Sequence, residues 1–218
     1  MKPRVEAAAM ATSAHAVTDT ELRTEAADFG MWIFLTTETL FFGVLFFGYL
    51  ISRIHFSAAF AAASRHTDLL LGTLNTGVLL TSSLTMAFAA ANAESARKRP
   101  ASRLLAATAV LGVAFLAIKA FEYYVDYAHH LVPGIDFAFA APHAVGAAAF
   151  FWWYFAMTGT HALHLLIGIV IVLVMVYRLH RATRTDASLS LQITGLYWHF
   201  VDVMWIFLYP CLYLVART

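Results

Sequence analysis

The sequence predicts an all-α integral membrane protein, a bundle of five transmembrane helices with the N-terminus cytoplasmic and the C-terminus periplasmic. Three observations predict it. Of 218 residues, 61% are apolar and 12% charged, against roughly a quarter charged in an ordinary soluble domain. Five runs reach the ~20 mainly apolar residues that a hydrocarbon core about 30 Å thick requires of a spanning helix. The Lys and Arg residues fall unequally on the two sides that five spans create.

Residues 1–28 mix alanines with Glu21, Arg23, Glu25 and Asp28. They contain no apolar core of the kind a secretory signal requires, and they are expected to be a flexible N-terminal tail. Residues 29–218 are expected to form a single five-helix transmembrane domain, with spans at 29–52, 69–91, 104–125, 146–177 and 193–216. The fourth is long, about 46 Å at 1.5 Å per residue, so it must tilt or project beyond the lipid. Pro133, Gly134 and Pro142 mark the connection before it as turns. The lone Cys211 leaves no disulfide and no cysteine-based metal site. A net charge of +1 without a basic patch argues against a nucleic-acid partner.

Orientation follows from the basic residues. Lys2, Arg4, Arg23, Arg97, Lys98, Arg99, Arg103, Arg178, Arg181 and Arg184 share one side, while the other holds only Arg53, Arg65 and Arg217. Positively charged short loops stay cytoplasmic, which places the N-terminus inside. Trp and Tyr prefer the water–lipid boundary. Tyr123, Tyr124, Tyr127, Trp152, Trp153, Tyr209 and Tyr213 are therefore expected in the outer belt, and Trp32, Tyr177, Tyr197 and Trp198 in the inner one.

Ionisable groups at membrane depth are costly and point to protein, water or function. Glu38 lies nine residues into the first span, about 14 Å along its axis. With no cation near it in sequence, it is expected to be protonated or hydrogen-bonded to another helix, in a structural role. Lys119 and Glu122 stand three apart on one helical face and are expected to pair, with Asp126 one turn on. His161 and His164, in "TGTHALHLLIGIVIVL", and His199 and Asp202, in "YWHFVDVMWIFLYP", repeat that spacing and should turn each pair towards one neighbour.

Two readings of the histidines stand. Neutral imidazole is the commonest metal ligand, and His161 or His164 facing His199 would suit a haem. Hydrogen bonding between packed helices is the other reading, and it is favoured, because helical di-iron sites use repeated Glu-x-x-His units and none occurs here. The stretch "LGTLNTGVLLTSSLTM" offers Gly72, Thr73, Asn75, Thr76, Gly77, Thr81, Ser82 and Ser83 for close approach and for hydrogen bonds across a helix pair.

"TETLFFGVLFFGYL", "LNTGVLLTSS", "FEYY", "TGTHALHLLIG" and "YWHFVDVMWIFLY" resemble, in that order, the signature segments of subunit III of the haem-copper respiratory oxidases, in its five-helix form. The likeness runs from about Gly30 to Tyr213. It implies a non-catalytic subunit with no catalytic, cofactor-binding or metal-binding residues of its own, haem and copper residing in partner subunits. It implies packing on the catalytic subunit I among other oxidase subunits, bound phospholipid, support of proton uptake and protection during turnover, in a bacterial inner membrane.

Carried over residue by residue, Glu38 matches the buried glutamate of the Phe-rich helix and Glu122 the acid of the Glu-Tyr segment. His161 and His164 match the His-x-x-His pair, and His199 and Asp202 the Trp-His-x-x-Asp segment. Lys119 departs from the pattern, standing where relatives often have Gln; Thr160 and Ala162 depart from it around the first His. Many relatives have two further spans that wall a lipid cleft, so lipid here is expected in an open groove or against a neighbour.

Three other functions remain in view. The related accessory subunit of a nitric oxide reductase shares several motifs. A haem b membrane cytochrome would use His161 or His164 with His199. A transporter is disfavoured by an odd number of spans and the absence of an internal repeat.

Overall fold

A computed structural model of the chain describes residues 2–95, 97–135, 137–139, 142–179 and 184–215, with backbone alone at 2–21, 23, 94 and 184–189. Arg181 and Arg217, used above for orientation, and Ala216, the expected end of the last span, lie outside the described residues. Six helices follow in order: α1 Lys2–His55, α2 Ser57–Ser64, α3 Leu69–Glu94, α4 Lys98–Ala128, α5 Ala144–Leu179 and α6 Arg184–Tyr213. No strand occurs among the described residues. Five helices are long and apolar enough to cross a membrane, over Thr24–His55, Leu69–Ala93, Lys98–Ala128, Ala144–Leu179 and Ser190–Tyr213. The five expected spans overlap these helices in order, and the last helix ends at Tyr213, short of the expected 216, with Leu214 and Val215 outside it.

The backbone falls into two compact units, Met1–Leu40 and Phe41–Thr218. In the first, α1 is helical from Lys2, through the segment expected as a tail. Alanine is the strongest helix former, and Pro3 sits in the first turn, where its missing N–H costs nothing. Further along, Thr36, Thr37 and Thr39 return their hydroxyls to the carbonyls of Trp32, Phe34 and Leu35. That internal bonding lets exposed threonines sit on an apolar helix.

In the second unit, α3 packs on α4, α4 on α5, α5 on α6 and α6 on α3, closing a ring of four helices. Short connections make sequential neighbours antiparallel. Asp68 caps α3, its carboxylate accepting from the backbone N–H groups of Leu70 and Leu71 at 2.9 and 3.1 Å. Pro100 stands in the first turn of α4. The 36 residues of α5 span about 54 Å, well beyond the hydrocarbon core.

Helix α2, unforeseen in the sequence, continues α1 after a bend at Phe56 and packs on α5, with Phe60 buried and its ring 5.5 Å from that of Phe150. Between α4 and α5 the expected turns are present. Gly134 adopts φ 85°, a left-handed conformation that favours glycine.

Phe41–His55 of α1 joins this unit through large side chains. Trp153 Nε1 donates to Ser52 Oγ at 2.8 Å, the Tyr49 hydroxyl donates to the Cys211 carbonyl, and Phe42 and Phe46 pack on Phe200 and Phe207. The α4–α5–α6 contact is tight at Gly112, where an added Cβ would lie 2.9 Å from both Ile169 and the Trp198 ring. Gly112→Ala is therefore expected to cost about 1–3 kcal/mol through overpacking, read as a lower thermal midpoint in detergent.

Candidate functional site

The polar side chains of α4, α5 and α6 converge at one level of the ring. Lys119 and Glu122 of α4 are each 2% exposed. A lysine ammonium so deeply buried needs each of its three donors satisfied. Lys119 Nζ donates to Glu122 Oε2 at 3.1 Å, to the Tyr154 hydroxyl at 2.9 Å and to the Tyr213 hydroxyl at 2.6 Å. Both tyrosine hydroxyls donate to Glu122 Oε1, at 2.8 and 2.6 Å. The pairing expected from the spacing of Lys119 and Glu122 is thus present, and two tyrosines enclose it.

The rings themselves add to this. Nζ lies 4.4 Å from the centroid of Tyr154, 5.2 Å from those of Tyr123 and Tyr213 and 5.7 Å from that of Trp205. A cation–π contribution grows as the ammonium loses water. The Tyr123 hydroxyl is held by Thr158 at 2.6 Å, and Asp126, one turn beyond Glu122, is buried with Oδ2 lacking a hydrogen bond. The site is an electrostatic clasp across three helices.

His161 continues the same buried face of α5. It is completely buried, its ring lying 5.5 Å from Phe115 and 5.2 Å from Trp205, and neither ring nitrogen has a hydrogen-bond partner among the described residues. His164, by contrast, meets Phe41 and Phe42 and bonds through Nδ1 to the Thr160 carbonyl at 2.9 Å. The two do not turn towards one neighbour, as their spacing suggests they should. Three residues advance a helix by about 300°, and the remaining 60° separates a core position from an edge one.

His199 lies elsewhere again, its Nδ1 2.6 Å from Ser83 Oγ on α3. Asp202 is 4% exposed, and neither of its carboxyl oxygens meets a hydrogen-bond partner of standard geometry among the described residues. Glu38 belongs to the N-terminal unit and is part-buried. The histidines thus have separate surroundings, and among the described residues no three His, Cys, Asp or Glu side chains form a ligand set. Phe115 and Trp205 occupy the ring contacts of His161, Phe41 and Phe42 those of His164, and His199 lies against Ser83.

His161→Phe is expected to keep the ring packing while removing two unsatisfied polar atoms, so stability in detergent should equal or exceed that of the parent. A loss above about 2 kcal/mol would mean that the nitrogens are engaged in the folded protein.

The α3–α6 contact uses the small hydroxyls noted in the sequence. Trp205 Nε1 donates to Thr76 Oγ1 at 3.0 Å, Trp198 Nε1 to Ser82 Oγ at 2.8 Å, and Thr73 and Tyr209 share a bond of 2.7 Å. Asn75 is the exception, completely buried with neither amide atom hydrogen-bonded. Three residues expected in the belts are buried instead. Tyr213, expected in the outer belt, is completely buried as a member of the clasp. Tyr197 and Trp198, expected in the inner belt, are 6% and 1% exposed, and their polar edges bond to the His164 carbonyl and to Ser82 instead of water.

Comparison with known proteins adds to this geometry. The family model described as cytochrome c oxidase subunit III matches residues 8–217. A cytochrome c oxidase subunit 3 of Alkalihalophilus pseudofirmus is 33% identical over 189 residues, covering 86% of this chain and 85% of that protein. A cytochrome c oxidase subunit 3 of Thermostichus vulcanus is 30% identical over 191 residues, covering 86% and 87%. A cytochrome bo(3) ubiquinol oxidase subunit 3 of Pseudomonas putida is 30% identical over 191 residues, covering 86% and 84%.

Proposed function

We propose, since this chain belongs to the cytochrome c oxidase subunit III family, that it is the non-catalytic subunit of a haem-copper terminal oxidase and works by docking on the catalytic subunit I. Family membership places it in an oxidase complex, and five apolar helices make it a membrane protein. The rest is our reading. The membrane is a bacterial inner membrane, the N-terminus is cytoplasmic and the C-terminus periplasmic. Haem and copper reside in partner subunits, and phospholipid is held against the helices. The subunit sustains proton uptake and keeps the complex intact during turnover.

The observation that carries this reading is how the polar residues are used. Lys119, Glu122, Tyr154 and Tyr213 satisfy one another inside the ring. His161 meets Phe115 edge-on and Trp205 at a tilt. Groups spent on fastening helices hold a docking scaffold rigid and leave redox chemistry to another chain. Glu38, Lys119, Glu122, His161, His164, His199 and Asp202 are on this reading structural or interface residues. A groove of about 1010 Å³ along α3, lined by Leu70, Thr73, Leu74, Gly77, Thr81 and Leu111, offers an apolar seat for an acyl chain.

The electron donor differs among relatives, which are named for cytochrome c or for ubiquinol. A tag on this chain in its native membrane tests the proposal. The preparation should contain a haem-copper catalytic subunit and consume oxygen; recovery with an enzyme that reduces nitric oxide, or with no oxidase, would overturn it.

A further inference from the structure

Hydrocarbon offers no hydrogen bond, so a polar atom exposed at membrane depth marks a place where something other than an acyl chain sits. The exposed hydroxyls of α3 avoid this demand, since Thr73 donates to the Leu69 carbonyl at 2.7 Å and Thr81 to that of Gly77 at 2.8 Å. His199 does not avoid it. Its Nδ1 is taken up by Ser83, its Nε2 has no partner among the described residues, and the ring is only part-buried.

The position is deep. His199 follows Ser190 by nine residues in the 24-residue span Ser190–Tyr213, about 14 Å along the axis and near the middle of a core about 30 Å thick. Asp202, one turn on, is buried behind this face. The flanks of this seam are apolar and open. Leu80 and Leu84 of α3 are 51% and 54% exposed, and Val203 and Ile206 of α6 are 42% and 45% exposed. Val203 and Ile206 follow His199 by four and seven residues on its own face of α6, and Leu80 and Leu84 bracket Ser83 on α3, apolar rows of the kind another helix packs against.

We infer that this α3–α6 face, centred on His199, receives a transmembrane helix of the catalytic subunit, and that a polar side chain of that helix hydrogen-bonds to His199 Nε2. The inference rests on the proposed docking function and names its surface. Ser83 fixes both the tilt of the ring and the chemistry of the partner. When its hydroxyl donates to Nδ1, Nε2 carries the proton and the incoming group accepts; when it accepts from Nδ1, the incoming group donates. A hydroxyl or carboxamide suits both cases. A helix carbonyl, which keeps a second lone pair, suits only the first.

Two measurements on the native complex test this. p-Benzoylphenylalanine placed at Leu84 or Val203 should crosslink to the catalytic subunit on illumination, and at Val110 or Leu173, exposed on α4 and α5, it should not. His199→Leu should weaken retention of the catalytic subunit through graded detergent by about 3-fold to about 20-fold, the range for a hydrogen bond between membrane helices. His199→Gln, which keeps a bonding group, should restore part of it.

Crosslinks from Val110 or Leu173 alone would overturn the choice of face. Crosslinks from Leu84 and Val203 only to lipid or quinone, in a complex that still copurifies, would overturn the choice of occupant. An unmodified chain that brings down no catalytic subunit would remove the docking function itself.

Discussion

Glu122→Leu is expected to lower the stability of the purified chain by about 3–5 kcal/mol, the loss seen when one member of a buried ion pair is removed. The Lys119 ammonium would remain, 2% exposed, with hydroxyls but no counter-charge. Lys119→Met should cost less, about 1–3 kcal/mol, because Glu122 keeps the hydroxyls of Tyr154 and Tyr213. Replacing both residues should bring stability back towards the parent, since an apolar pair of similar volume often matches or exceeds a buried ion pair. Thermal unfolding in detergent across the four proteins reads the coupling directly. Additive losses would mean that the two side chains act independently.

Trp205→Ala is expected to cost about 3–5 kcal/mol, as large-to-small changes at buried aromatics do. Its ring, 1% exposed, holds Phe115 at 4.8 Å, His161 at 5.2 Å and Tyr213 at 6.3 Å. The cavity would open beside the clasp, and Tyr213, which donates to Glu122, would lose the neighbour that positions it. Trp205→Phe keeps most of those contacts and forfeits the bond to Thr76, a change of about 1 kcal/mol. Proteolysis and thermal melts in the same detergent should rank Ala well below Phe; equal behaviour would place the contribution of Trp205 in its N–H and not in its packing.

The spans were legible because a bilayer demands length and apolarity, and both are written in the chain. The pairing of Lys119 with Glu122 was legible for a similarly local reason, their spacing on one helix. The two tyrosines of the clasp were not, because the preference of Tyr for the membrane boundary competes with its ability to bond in a core, and composition alone does not choose between them. Phase does. Tyr154, Thr158, His161, Leu165, Gly168 and Val172 form a single buried stripe on α5, which places Tyr154 on the face of His161. Tyr213 likewise follows Asp202, Trp205 and Tyr209 at steps of three or four.

The divergence of His161 from His164 lay beyond a spacing rule, since which of two residues enters a core depends on where the neighbouring helices stand. Helix α2 went unseen because eight residues are too few to carry a spanning signal. Relatives fix the family, and they leave open how each buried group is used.

The central claim is that the imidazoles and acids inside this bundle fasten helices while the oxidation chemistry proceeds in a partner. Separating the chain from its complex and recording its visible spectrum and metal content is the most direct test. The separated chain should be colourless, with far less than one iron or copper per chain. One haem per chain, lost on His199→Ala, would contradict it.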